Sequence, residues 1–327
     1  MSMPSIDVQA RSRARPGTET PLFCPFPSQV SPWAEDAQAE SLRWARSFGL
    51  CADEDGYRRL ARARIAWLPA RAFPMATRTG LQIAADWTTL FCLLDDLIEA
   101  EGANMLSLAR LVSRVLEAFR LRSAAAGDAL GQALAHLRQR MHEATGDAWV
   151  ERFADILERL FSAFMWEGIN RQNAIRPSVS AYLTMREITV GVLPQLALAE
   201  LTDAIRLSPA VLSHATVRRM ASMSCNVVGW MNDLFTFERE LAEGEIHNLV
   251  IVLMDQQGLP VEEALSVVHR RCEDEVRAFI ALEQQLPDVG EESVMLRRYV
   301  GIMRSWMRGH LDWAMETGRY KPPCARV

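Results

Sequence analysis

Two sets of oxygen-bearing side chains are spaced so that they could hold a cation. In "FCLLDDLIEA", Asp95, Asp96 and Glu99 close an otherwise apolar run, and a helix would put Asp95 and Glu99 on one face. Carboxylates at the C-terminal end of a buried helix oppose both desolvation and the helix macrodipole, so something must compensate them. Ligation of Mg2+ by hard oxygens is the natural compensation; a solvated helix end is the alternative. In "NDLFTFERELAEGEIHN", Asn232, Thr236 and Glu240 recur every fourth residue and would stack an amide oxygen, a hydroxyl and a carboxylate on one face. That mixture suits Mg2+ and suits zinc poorly, since zinc prefers His and Cys. Such spacing is also the pattern of a solvated surface helix, but the small, apolar "SMSCNVVGWM" before it argues for burial.

A third group is basic. Arg186 interrupts "YLTMREITVGV", Arg239 adjoins the Asn/Thr/Glu stripe, and Arg319 and Tyr320 end the last helical stretch in "METGRYKPP". Each alone could be a surface residue or an ion pair. Arginine's planar fork matches phosphate oxygens, so two acidic clusters with several isolated arginines suggest a diphosphate held between cations and guanidinia.

The elements that must position these residues are helices. From Pro32 onward nearly every segment carries 3.6-residue periodicity, and none shows sustained alternation bounded by hairpin turns. The chain reads as one all-α domain of about ten or more helices around a central apolar cavity, spanning 31–321. A flexible N-terminal arm (1–30) precedes it and a short tail (322–327) follows. "EDGYRRLARARIAWLPARAF" is expected to be one helix stopped by Pro69, and "TRTGLQIAADWTTLFCLLDDLIEA" a central one. In "ITVGVLP", Pro194 has no N–H for the carbonyl of Val190 and Gly191 lies beside it, so the helix should break there. Composition is near half apolar and a quarter charged with a net charge of −5, and no basic patch suggests nucleic-acid binding. The six cysteines show no CxxC and fit reduced thiols; no run suits a signal peptide or a membrane span, so a cytoplasmic protein is expected.

With these motifs the sequence resembles the bacterial class I terpene synthases (terpene cyclases). "DDLIE" resembles their aspartate-rich motif, with Glu99 where Asp is commoner, and "NDLFTFERE" their second metal motif, with Thr236 where Ser is usual. Arg186 in "PSVSAYLTMR" matches the pyrophosphate-sensor position, "RY" at 319–320 the C-terminal pair, and "GEIHNLVIVLM" also fits. The resemblance runs from about Phe23 to Tyr320. It implies a class I terpenoid synthase fold in which three Mg2+ ions bind with the substrate. Asp95 would serve two ions, with Asp96 and Glu99 near, and Asn232, Thr236 and Glu240 would hold the third. Arg186, Arg239, Arg319 and Tyr320 would grip an isoprenyl diphosphate. A helix-break effector would fall at Thr189, Val190 or Gly191.

An allylic cation freed by loss of diphosphate needs a dry, aromatic surround. Helical spacing nominates Phe91 and Thr88, one and two turns before Asp95, and Trp306 and Trp313, which share a face with His310. Any of them could equally be ordinary core. Farnesyl diphosphate and a cyclic hydrocarbon or alcohol are the default substrate and product class; geranyl or geranylgeranyl diphosphate, or chain elongation to a longer prenyl diphosphate, are the alternatives. A nucleotide pyrophosphohydrolase and a non-catalytic isoprenoid-binding protein are further rivals. Replacing Arg186 by Ala is expected to cost ionisation rather than folding. The family often dimerises, but no stretch of this sequence marks an interface.

Overall fold

The structure is a computed structural model that describes residues 22–51, 53–101, 104–120 and 128–320; the side chains of 99–101 lie outside that description. Fifteen α-helices and no strand occur among the described residues. The first half of the chain forms α1 (Ala34–Ser47), α2 (Glu54–Ala63), α3 (Trp67–Ala72), α4 (Arg78–Glu101), α5 (Met105–Arg120), α6 (Ala129–Thr145) and α7 (Asp147–Asn173). Four short helices surround a break: α8 (Val179–Thr189), α9 (Val192–Ala197), α10 (Ala199–Thr202) and α11 (Pro209–Ser213). The second half adds α12 (Ala215–Glu243), α13 (Leu249–Gln257), α14 (Val261–Glu283) and α15 (Ser293–Glu316).

Periodicity explains the long elements. α12 buries a stripe running from Val217 through Met220, Met223, Val227 and Met231 to Phe237, and packs on α14 and α15. α4 is buried on most of its faces, with Leu81, Ala84, Trp87, Leu90 and Leu94 inside, as expected of a central helix. α15 packs against α3 as well as α12, and α7 against both α5 and α8. The core is continuous, with the aromatic rings of Trp87, Phe119, Phe153 and Trp149 meeting in series at its α4–α7 end.

Two expectations about breaks meet different outcomes. The helix expected to run to Pro69 instead ends at Ala63, where Arg64 takes a left-handed conformation (φ +47°) and its guanidinium covers the Trp67 ring at 3.9 Å. Pro69 then sits in the first turn of α3, where its missing N–H has no intrahelical partner to lose. The break at "ITVGVLP" is as expected: α8 stops at Thr189, Gly191 is left-handed at φ +72°, and α9 starts at Val192.

The segment 22–30, which the sequence suggests belongs to a flexible arm, lies on the helical body. Phe26 is buried edge-on against Phe279 at 5.9 Å, Arg308 Nη1 donates to the Cys24 carbonyl, and Ser28 Oγ donates to Asp312. Residues 1–21 and the tail at 322–327 lie outside the described residues. Cys24, Cys225 and Cys272 are buried free thiols.

Candidate active site

Each motif is delivered by a different helix end. Asp95 and Asp96 lie in the last two turns of α4, Arg186 lies in the last turn of α8, Asn232, Thr236 and Glu240 descend the C-terminal half of α12, and Arg319 and Tyr320 follow α15. Trp313 holds that last segment in place: its Nε1 donates to the Arg64 carbonyl at 2.9 Å and its ring meets Tyr320 edge-on at 5.4 Å. Thr317 Oγ1 adds a bond to the Ala63 carbonyl at 2.6 Å, so the left-handed turn after α2 is the anchor for the C-terminal pair.

Asn232 joins two of the motifs. Its Oδ1 accepts from Arg186 Nη2 at 2.7 Å and its Nδ2 donates to the Tyr320 hydroxyl at 2.7 Å. Tyr320 accepts in that bond, so its own O–H remains a donor. Thr236 Oγ1 donates to the Asn232 carbonyl at 2.8 Å, which leaves hydroxyl lone pairs available. Glu240 Oε2 accepts from Asn248 Nδ2 at 2.9 Å. Burial pushes the Glu240 carboxyl up to about 7, against the lowering effect of that Asn248 bond.

Across the site, Arg319 bridges the adjacent carboxylates: Nη2 lies 2.7 Å from Asp96 Oδ1 and 3.2 Å from Asp95 Oδ2. Burial raises the Asp95 carboxyl above its ordinary range, and the Arg319 charge pulls it back. Glu99 continues the α4 helix, but its side chain lies outside the described residues. Arg239 stands at the rim, pairing with Glu243 at 3.0 Å and Glu240 at 3.4 Å.

Asp95, Arg186, Asn232 and Glu240 share a cavity of about 60 Å³ with Thr189, Glu167 and Phe164. Within its lining, Thr189 Oγ1 and Arg186 Nε are buried without a hydrogen-bond partner. A larger cavity of about 920 Å³ lies on the side of α7 and α12 bounded by Trp149, Leu193 and Tyr299, and none of the nominated residues borders it.

The aromatic nominees are placed less directly. Phe91 stacks on Phe164, a ring that does border the small cavity, at 6.4 Å, and meets Trp87 at a tilt at 6.3 Å. Thr88 is buried and bonded to the Ala84 carbonyl and to Gln195 Oε1. Trp306 is buried edge-on against Phe73 at 5.8 Å. Phe91, Thr88, Trp306 and Trp313 do not border the small cavity, and neither do Val190 and Gly191, which lie one and two residues beyond Thr189. Periodicity puts residues on an inward face of a helix without telling core from cavity.

Several residues beside the site are not among those that the sequence motifs nominate. Asp233 is fully buried; its Oδ1 lies 2.8 Å from Arg186 Nη2, an ion pair too poorly aligned to be a hydrogen bond, and its Oδ2 accepts from Tyr182 at 2.6 Å. Glu167, Arg171, Glu245 and His247 also face the small cavity. A carboxylate beside Asn232 on a helix with apolar surroundings was the available signal for Asp233.

The donor set fits hard divalent cations. It is made of carboxylate, amide and hydroxyl oxygens, it includes two carboxyls that burial drives toward protonation, and ligation would keep both ionised. Among the described residues no three His, Cys, Asp or Glu stand together as a ready metal group, because Asn and Thr supply part of the set and two helices share it.

Comparison with known proteins agrees. Residues 86–278 match the model of terpene synthase family 2, C-terminal metal binding. The chain is 31% identical to germacrene A synthase of Nostoc punctiforme, over 91% of this chain and 94% of that one. It is also 31% identical to (+)-T-muurolol synthase of Roseiflexus castenholzii, named as cyclising (2E,6E)-farnesyl diphosphate, over 92% and 93%. The crystal structure of linalool/nerolidol synthase from Streptomyces clavuligerus superposes with a TM-score of 0.81 at 25% identity, covering 90% of this chain and 100% of that one. The chain thus belongs to terpene synthase family 2, and is an all-α terpene synthase, a lyase acting on a prenyl diphosphate.

Proposed function

We propose that the enzyme is Mg2+-dependent, that it ionises farnesyl diphosphate, and that it guides the resulting cation to a cyclic terpene hydrocarbon or alcohol. The observation that carries this reading is the pair of hydrogen bonds of Asn232, accepted from Arg186 on one side and donated to Tyr320 on the other. It ties the metal-type stripe to two diphosphate-type donors that lie 46 and 88 residues away in sequence. The farnesyl preference is supported by the substrate in the name of the (+)-T-muurolol synthase.

Asp95, with Asp96 and Glu99 beside it, and the set Asn232, Thr236 and Glu240 would hold three Mg2+ ions. Bound with diphosphate, the ions would offset the negative charge that accumulates on the leaving group. In ionisation the allylic C–O bond breaks and its electron pair leaves with the diphosphate. Arg186, Arg319 and Tyr320, with Arg239 at the rim, would donate hydrogen bonds to those oxygens, strengthening as charge develops. Phe164, which borders the small cavity, would offer its ring to the cation left behind, with Phe91 stacked on it. The break at Val190–Gly191 leaves the Val190 carbonyl without a bond from Pro194, and that carbonyl would supply a further dipole if it turned toward the cation.

The deciding experiment offers geranyl, farnesyl and geranylgeranyl diphosphate separately, with Mg2+ or with a chelator, and reads products by gas chromatography–mass spectrometry. A cyclic product from farnesyl diphosphate that disappears with chelator supports the proposal. A product from only the shorter or longer substrate overturns the farnesyl assignment. Extension on addition of isopentenyl diphosphate would instead mean chain elongation.

A further inference from the structure

We propose that Asn248 is a positioning residue for the Glu240 carboxylate, and that Glu245, held by Arg171 and His247, fixes the loop that carries it. The inference rests on the reading of Glu240 as part of a divalent-cation site. It concerns "GEIHN", a stretch that the proposed chemistry leaves without a role.

α12 ends at Glu243, Gly244 turns the chain in a left-handed conformation, and α13 starts at Leu249 with Asn248 as its N-cap. Asn248 is fully buried and every polar atom of its amide is engaged. Its Oδ1 accepts from the Val250 N–H at 2.9 Å, which is the capping bond. Its Nδ2 donates to Glu240 Oε2 at 2.9 Å and to the Asp233 carbonyl at 2.8 Å. Capping requires only an acceptor, and Ser, Asp or Thr would provide it. The two donations exceed what the helix needs, and one of them ends on a carboxylate of the site. A glutamate side chain has three rotors, so anchoring one oxygen removes much of the freedom that ligation would otherwise have to remove.

The loop is in turn held from α7. Glu245 Oε1 accepts from the backbone N–H groups of Ile246 at 2.7 Å and His247 at 2.9 Å, and also lies 2.9 Å from His247 Nδ1. Glu245 Oε2 accepts from Arg171 Nε at 2.8 Å. Asn170 Nδ2 lies 3.2 Å from His247 Nε2; an amide N–H can only donate, so Nε2 accepts and the ring proton sits on Nδ1, facing Glu245. Trp166 closes over the imidazole edge-on at 5.5 Å. From Arg171 to Glu240 the connection runs through Glu245, a short loop and Asn248. Hydrogen bonds to an ionised group form its first links, and these are the stronger kind.

The test uses Asn248→Ser in the full chain, which keeps a capping oxygen and removes both donors. Mn2+ binding in the presence of inorganic pyrophosphate is followed by electron paramagnetic resonance, and a thermal melt is taken in the same buffer. The Mn2+ dissociation constant is expected to rise ~10-fold or more, as for other groups that orient a metal ligand, while the melting midpoint, lowered by the loss of two buried hydrogen bonds, still leaves the variant folded at the assay temperature. Glu245→Gln, one step further from Glu240, should weaken Mn2+ binding in the same direction but less. Parental Mn2+ affinity in Asn248→Ser overturns the proposal. Should that variant fail to fold, Glu245→Gln decides alone, and unchanged affinity there overturns it equally. Absence of Mn2+ binding in the parent protein would mark a failure of the divalent-cation reading itself, and this inference would fall with it.

Discussion

Gly191 lies directly against the ring of Phe91: a Cβ added at 191 would stand 2.3 Å from Phe91 Cζ. The glycine is also left-handed, at φ +72°. Gly191→Ala therefore meets two separate penalties, ~1–2 kcal/mol for the backbone and ~1–3 kcal/mol for overpacking. Denaturant melts should show the sum, and the product profile should shift because Phe91 must move. Adding Phe91→Leu should recover the overpacking part and leave the backbone part. Additive effects of the two changes would show that ring and glycine are not coupled.

Arg186 is expected from its motif to matter for ionisation alone, but its pairing with Asp233 changes that. Asp233 is fully buried, so Arg186→Ala strands a carboxylate and should cost ~3–5 kcal/mol of stability. Arg186→Lys keeps a positive charge near Asp233 but loses the fork that also reaches Asn232. It should retain most of the stability while losing ~10²-fold or more in turnover. Comparing melts with diphosphate release separates the two roles. Parental turnover in the lysine variant would show that the fork is not used.

The helices that carry the site were legible because each long one repeats its apolar residues at helical spacing, as α4 and α12 do. The motifs were legible because carboxylates, amide and hydroxyl occur where burial would otherwise exclude them. Local breaks were harder to read. Pro69 reads as a helix stop but sits inside α3, and no glycine announces the left-handed turn at Arg64. What spacing could not show was partnership across the fold. Asp233 pairs with Arg186 from 47 residues away, and Glu245 with Arg171 from 74. Nor could it separate Phe91, which stacks on a ring of the cavity, from Thr88, a turn away and bonded into the core.

His310 supplies a pH dependence outside the cation site. It is 3% exposed and its Nδ1 has no partner. Burial, aided by the Arg186 charge, holds its pKa down to about 3 from 6.5. The unfolded chain thus binds a proton that the folded chain refuses. The stability linked to this group is complete above pH ~6.5 and is lost as pH falls from there toward 3, by at most ~1.4 kcal/mol per unit. Between pH 7.5 and 5.5 the parent protein should lose ~1 kcal/mol more than His310→Gln. Parallel losses in urea melts of the two proteins would show that His310 is not the titrating group.

Arg319 occupies the carboxylates that are proposed to receive cations. Its guanidinium bridges Asp95 and Asp96. Arg319→Gln leaves these neighbours to repel one another, with Asp95 already raised by burial. Because Asp96 is exposed, the loss should be modest, ~1 kcal/mol. Divalent cation should then replace the missing charge, so Mg2+ should raise the melting temperature of Arg319→Gln by more than it raises that of the parent. Turnover should fall in the same variant, because the guanidinium is also proposed to grip the diphosphate. Equal Mg2+ stabilisation of the two proteins would separate Arg319 from the cation-binding carboxylates.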